Sequence, residues 1–419
     1  MRGALHTAHL PTRWVEPWYL AYALLGMSVA GAVPILLPLL VSRLGSAADV
    51  GLVMAAISLG GLLAPLWGGL ADRYRLHRGL LTGGLLLTAG GLAALPFAPL
   101  RAAWLGLALL QGLGASAAST MANLLVVEAH PEAEWDERLA WLQTFHDSGY
   151  VGGLLLTAWL SQIDLQLSLL AVASVTAVAA IVGGVMTRTP PGPRTPTPAL
   201  FHPARHDEGT RLSPPHLYYH VGVQTFRRLA PALRSPFGRF LLTWMLSLSG
   251  SSAFFALYPV LVQEVFGIPP ALSSLTFALA VSLRLTLYAP AGRWSHRLGP
   301  ARLLQGALGL RLLAFGGLLG LGWLPMGSHS RLALVGCTLV VLCWAGLGVS
   351  STTLTAHFAP DHEGAGMGLL HATTALAGVC GATLGGWLAA RWGYHAALGL
   401  AVAGLTLGLC LSLTIRPKP

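Results

Sequence analysis

Three ionisable residues, Asp147, Arg284 and Arg311, stand well inside long apolar runs, in a chain of 419 residues that carries 25 basic and 15 acidic side chains. A charge at the centre of a helix in lipid costs roughly 2.5–3.5 kcal/mol on insertion scales, so each of the three needs a partner, water or a route to the surface. Asp147 follows His146 directly, and a carboxylate beside an imidazole is suited to relaying a proton. A second group has the chemistry of a binding wall. Trp244, Ser247, Ser251, Phe255 and Tyr258 are spaced three or four residues apart and share one helical face. Gln111, Ser119 and Asn123 share another face, and Tyr22 and Trp344 add two further aromatic groups in apolar surroundings. Aromatic rings with neutral polar groups suit an apolar or amphipathic organic solute. They are poor for a multiply charged anion, which wants arginines. The chain shows no nucleophile–base constellation, phosphate-binding loop or dinucleotide motif, so an enzyme is not expected and no cofactor is implied.

The elements that must position these residues are read from composition. Hydrophobic residues make up 54 % of the chain and charged residues 10 %, with a mean hydropathy of +0.65. A soluble domain carries about 25 % charged residues, so a cytosolic enzyme, a disordered chain and a nucleic-acid-binding protein are excluded as readings. Twelve apolar runs have the roughly 20 residues a membrane helix needs. They lie near 18–41, 50–71, 79–97, 102–127, 139–160, 166–187, 240–262, 271–291, 303–324, 332–354, 364–389 and 394–414. The first is too long for a signal sequence, carries Pro34 and Pro38, and is expected to be retained. With the N-terminus placed in the cytoplasm, inner segments hold 19 Lys and Arg residues and outer loops hold four, Arg43, Arg101, Arg331 and Arg391. This positive-inside bias predicts a multi-pass protein of the inner membrane with both termini cytoplasmic.

Residues 188–239 interrupt the apolar pattern with ten of the 27 prolines and eight of the basic residues. They predict a cytoplasmic linker between an N-terminal six-helix half, 1–187, and a C-terminal half, 240–419. The linker's two histidine pairs, His202 with His206 and His216 with His220, are interrupted by Pro203, Pro214 and Pro215, and no metal site is expected there. An internal repeat supports the split. A shift of 224 residues maps Gly68 to Gly292, Asp72 to His296, Arg73 to Arg297 and Arg78 to Arg302. Repeated halves around a midplane site are a common transporter plan.

On these residues the chain resembles a major facilitator superfamily transporter over nearly its whole length. The family's motif between helices 2 and 3, G-x-x-x-D-R-x-G-R-R, is matched by Gly68, Asp72, Arg73 and Arg78, with Arg75 and Leu76 departing from it. The copy at Gly292, Arg297 and Arg302 is degenerate. The resemblance implies an all-α integral membrane fold of twelve transmembrane helices in two pseudo-symmetric halves, working by alternating access. It makes Asp72 and its arginines gating residues that latch the outward-facing state. It also makes helices 1, 4, 7 and 10 the cavity walls, so that Tyr22, Gln111, Ser119, Asn123, Trp244, Ser247, Ser251, Phe255, Tyr258 and Trp344 become candidate substrate contacts. Helix 9 is peripheral in such a fold, so Arg311 is expected to snorkel. Helices 5 and 8 face each other, and Asp147 and Arg284, at similar depths, are expected to pair across the interface. The drug:proton antiporter signatures are departed from: Gln111 stands near the place of the helix 4 arginine, and helix 5 has no glycine-proline step.

The function expected is secondary active transport of a small organic solute, proton-coupled and outward, by a monomer in the lipid bilayer without nucleic acid. The alternatives are proton-coupled uptake or uniport, and a non-transporting receptor or scaffold of the same fold.

Overall fold

The computed structural model of the protein describes residues 14–74, 76–131, 134–187, 235–324, 329–358 and 363–415. In this structure twelve helical segments follow one another in chain order. They are α1 (Tyr19–Leu44), α2 (Ala47–Gly61 and Ala64–Tyr74), α3 (His77–Ala94), α4 (Arg101–Ala129), α5 (Trp135–Leu160) and α6 (Leu165–Met186) in the first half. The second half holds α7 (Pro236–Phe266), α8 (Pro270–Leu298), α9 (Pro300–Gly322), α10 (Ser330–Phe358), α11 (Glu363–Trp392) and α12 (Tyr394–Ser412).

Local chemistry sets the ends. Ser46 and Asp49 form a capping box at the start of α2, with the Ser46 backbone N–H donating to Asp49 Oδ2 at 2.7 Å. Asp164 accepts from the backbone N–H groups of Gln166 and Leu167 at the start of α6. Proline begins α7, α8 and α9, where its missing N–H leaves no helical bond unmade. Gly267 takes a left-handed conformation, φ 66°, and ends α7.

Ten of the helices among the described residues are long and apolar enough to cross a membrane. The two outside that set have visible reasons. A turn at Leu62 and Leu63 breaks α2 just before Pro65, a residue that disfavours helix behind it. α5 carries charged residues in its first turn and Asp147 in its middle. The tolerance for a break in α1 is different: Gly26–Ala32 is wound as a π-helical segment just ahead of Pro34, within an otherwise continuous span.

The boundary expected at residue 239 lies earlier. Ser235 accepts from the Gly238 backbone N–H at 2.9 Å and Pro236 begins α7, so residues 236–239 are helix and not linker. The apolar pattern misses them because only Phe237 is strongly hydrophobic among the four. The rest of the expected linker, 188–234, with its histidine pairs, lies outside the described residues.

Within the first half, α1 and α5 approach backbone to backbone. A Cβ added at Gly149 would lie 1.8 Å from the Ala23 carbonyl oxygen, and one at Gly153 2.0 Å from that of Met27. Between the halves, α11 packs on the Ala47–Gly61 piece of α2, α8 on α5, and α7 on the Val33–Leu44 part of α1. Gly51 and Gly386 meet at this seam, where a Cβ on Gly51 would stand 2.7 Å from the Gly386 Cα. These contacts concentrate at the end of the bundle that carries the α1–α2 loop. The Ala64–Tyr74 piece of α2, toward the opposite end, packs on α4 and α3 of its own half. The halves are therefore joined at one end, and the described contacts do not continue in the same density to the other.

Candidate functional site

A cavity of about 350 Å³ lies between the halves. Ala30 and Pro34 of α1, Met54 and Ser58 of α2, and Tyr150 of α5 line it from one side. Ser251, Phe255 and Tyr258 of α7, Phe277 and Arg284 of α8, Arg311 of α9, Trp344 of α10 and Thr374 of α11 line it from the other. The π-helical segment and Pro34 of α1 fall at this wall, and so does the regular face of α7, whose three- and four-residue spacing aims Ser251, Phe255 and Tyr258 the same way.

The sequence candidates divide. Ser251, Phe255, Tyr258 and Trp344 line the cavity. Trp244 is buried about two turns before Ser251 on α7, where its Nε1 donates to Thr374 Oγ1 at 2.8 Å and its ring lies 6.0 Å from that of Trp344. Ser247 is buried against the α12 backbone near Gly408. Gln111, expected on the cavity wall, is fully buried against α3: its backbone carbonyl accepts from Thr88 Oγ1 at 3.3 Å, and a Cβ on Gly91 would touch its own Cβ at 3.3 Å. The cause is that α4 is held between α2 and α3, so the face carrying Gln111 turns away from the second half. Ser119 and Asn123 lie near the Tyr22 hydroxyl, and the Asn123 amide donates to the Ser119 carbonyl at 2.8 Å. These three, with the Tyr22 ring tilted against that of His146 at 4.9 Å, form a polar group on the first half that includes the exposed Asn123 and is not part of the cavity lining.

Asp147 belongs to that group. Its Oδ1 accepts from Gln143 Nε2 at 3.1 Å and lies 3.2 Å from His146 Nδ1. The ion pair expected between Asp147 and Arg284 is absent among the described residues. α5 and α8 do face each other, but the guanidinium of Arg284 stands 5.8 Å from the ring centre of Tyr150, one turn along α5 from Asp147. Tyr150 packs on Phe277 at 6.3 Å, and the carboxylate turns to partners on its own helix. Equal depth along two helices leaves open which side chain of each turn faces the neighbour.

Arg311 also departs from expectation. It is 1 % exposed and does not snorkel. Its guanidinium carbon lies 5.5 Å from the ring centre of Phe255, 5.8 Å from that of Trp344 and 6.0 Å from that of Phe315. Its Nε and Nη1 meet no hydrogen-bond acceptor among the described residues, and the same holds for Nε of Arg284. The cavity lining contains neither Asp nor Glu. α9 is thus peripheral by order but reaches the centre with one long side chain. Tyr150, Phe277, Arg284 and Arg311 are cavity residues that helical-face reasoning on α7 alone does not find. An arginine in mid-helix with an aromatic residue one turn on, Arg311 and Phe315, is the signal that does.

Of the motif residues, Gly68 lies within the second piece of α2, and the side chains of Asp72 and Arg73 lie outside the described residues. Arg78 is exposed in the first turn of α3. Gly292 is embedded in α8, which runs on to Leu298, so Arg297 sits in its last turn, a favourable place for a cation. Arg302 is exposed in the first turn of α9. The shift of 224 that aligns the two copies also carries Tyr74, the end of α2, onto Leu298, the end of α8.

Comparison with known proteins places this geometry. The multidrug resistance protein MdtH of Photorhabdus laumondii is 28 % identical over 328 residues, 77 % of this chain and 72 % of the relative. That of Klebsiella pneumoniae is 28 % identical over 330 residues, with the same coverage. Among solved structures, the nucleoside transporter NupG superposes with a TM-score of 0.71 at 12 % identity, over 95 % of this chain and 96 % of that one. The D-xylose-proton symporter does so with 0.68 at 14 % identity, over 96 % of each. The family model of the Major Facilitator Superfamily matches residues 18–369. With two helical halves, a cavity between them and that match over most of its length, the chain belongs to the major facilitator superfamily and is a multi-pass membrane transporter, not an enzyme.

Proposed function

We propose that the protein exports an amphipathic organic solute by alternating access, driven by protons, with the cavity between the halves as its binding site. The observation that carries this reading is the lining. Both halves contribute to one aromatic wall, so rocking of the halves about the seam at Gly51 and Gly386 changes the site's access without dismantling either half. The names of the MdtH relatives favour outward transport of an organic compound. His146 and Asp147, in contact within the first half, are the groups proposed to carry the proton. Asp72, Arg73 and Arg78 are proposed to gate the end opposite the seam. The linker over 188–234 is proposed to lie in the cytoplasm with both termini, and the functional unit to be a monomer.

The test uses everted membrane vesicles and a panel of fluorescent aromatic amphipaths. Uptake into the vesicles that collapses with an uncoupler supports the reading. Ser251→Trp, which fills the cavity, is the control that must abolish it. Flux unaffected by that control, or binding without flux, would refute the reading, the latter in favour of a receptor.

A further inference from the structure

Two arginines in an aromatic-walled cavity, with no acid on its wall among the described residues, need an explanation that packing does not supply. Arg311 is 1 % exposed and Arg284 9 % exposed, and three of their guanidinium nitrogens have no acceptor among the described residues. Both guanidinium groups belong to residues that line the same cavity. Aromatic faces of Phe255, Phe315 and Trp344 offset part of the cost of burying Arg311, yet a ring face satisfies no particular N–H direction. A guanidinium is built to bind an anion through two parallel hydrogen bonds.

We propose that this cavity binds an aromatic acid, its anionic group held by the guanidinium groups of Arg311 and Arg284 and its ring among Phe255, Phe277 and Trp344. The inference deepens the transport reading above by naming the substrate class of the same site. The size argues against a bare inorganic ion: about 350 Å³ walled by aromatic rings is far more room than chloride fills. The charge argues for an anionic group. Arg284 and Arg311 both line the cavity, and no Asp or Glu does among the described residues. An aromatic acid satisfies both parts of the wall at once, where a neutral or cationic amphipath leaves the arginines unanswered.

The purified full chain in nanodiscs is titrated with three probes of one ring system: naphthalene-2-sulfonate, naphthalene-2-sulfonamide and 2-naphthylmethylammonium. Quenching of tryptophan fluorescence reads the binding. The sulfonate is expected to bind at least tenfold more tightly than either isostere. Arg311→Gln and Arg284→Gln are each expected to bring the three probes within about threefold of one another. The ranking in the unmodified protein stands by itself should Arg311→Gln fail to fold. Equal or weaker binding of the sulfonate, no saturable binding of it, or an anion preference kept in both glutamine variants overturns the proposal. Flux of the sulfonate in proteoliposomes is measured separately: an anion-selective site without flux keeps this inference and sinks the transport reading, and flux of neutral solutes without anion selectivity does the reverse.

Discussion

The guanidinium of Arg311 on α9 lies 5.5 Å from the centre of the Phe255 ring on α7, buried and with Nε and Nη1 unanswered by any acceptor among the described residues. A site that holds an uncompensated charge for its ligand is less stable empty than an apolar version of itself. Arg311→Met is therefore expected to raise the melting temperature of the ligand-free protein, by a free energy on the order of 1–4 kcal/mol. Thermal unfolding in detergent checks this; a fall in melting temperature would mean that Arg311 is a structural member of the core.

Asp147 and Arg284 take different partners in this conformation, Gln143 and His146 for the carboxylate and the Tyr150 ring for the guanidinium. Asp147→Asn is expected to flatten the pH dependence of flux without unfolding the protein. The exchange of charges, Asp147→Arg with Arg284→Asp, is expected not to restore what each single change loses. Recovery in the double variant would show that the two residues pair in another conformation of the cycle.

At the seam, Gly51→Val places carbon against the Gly386 backbone. Overpacking of this kind costs about 1–3 kcal/mol, and here it falls on the joined arrangement more than on either half. The expected result is intact folding with the halves shifted apart. In a background lacking Cys337, Cys343, Cys380 and Cys410, a cysteine at Ser252 should react several-fold faster with an impermeant thiol reagent added from the α1–α2 loop side. An unchanged rate would show that the seam does not govern access.

The Trp244 indole donates to Thr374 at 2.8 Å, joining α7 to α11 beside the cavity. Thr374→Val removes the acceptor from a buried N–H and is expected to lower stability by about 1–3 kcal/mol. Trp244→Phe in that background should cost less than it does alone, and a double-mutant cycle by thermal or denaturant unfolding measures the difference. Additive effects would mean that the bond contributes nothing.

Charge placement predicts the side of the linker. A cysteine at Arg205 should escape an impermeant thiol reagent in intact cells and react in inverted membranes; labelling in intact cells reverses the topology.

The helices were legible because lipid imposes a local rule. Each span must satisfy its own backbone bonds and present apolar side chains, so runs of about 20 such residues betray it without reference to the rest of the chain. The repeat of Gly68 at Gly292, and the proline starts of α8 and α9, are local in the same sense. So was the face of α7, since helical periodicity alone aligns Ser251, Phe255 and Tyr258. Local rules also left errors at the edges, as at residues 236–239, where a serine cap and Pro236 begin a helix that hydropathy does not register. What a buried polar residue does depends on which helix lies opposite it, and no local rule states that. Gln111 turned to α3, Asp147 to Gln143 and His146, and Arg284 to Tyr150 because inter-helix packing, carried by close contacts such as Gly149 on Ala23, sets the rotation of each helix. Arg311 was readable as a charge in a membrane helix, but its place in the central cavity follows from the length of its side chain and from the position of α9 against α10, which only the packed structure determines.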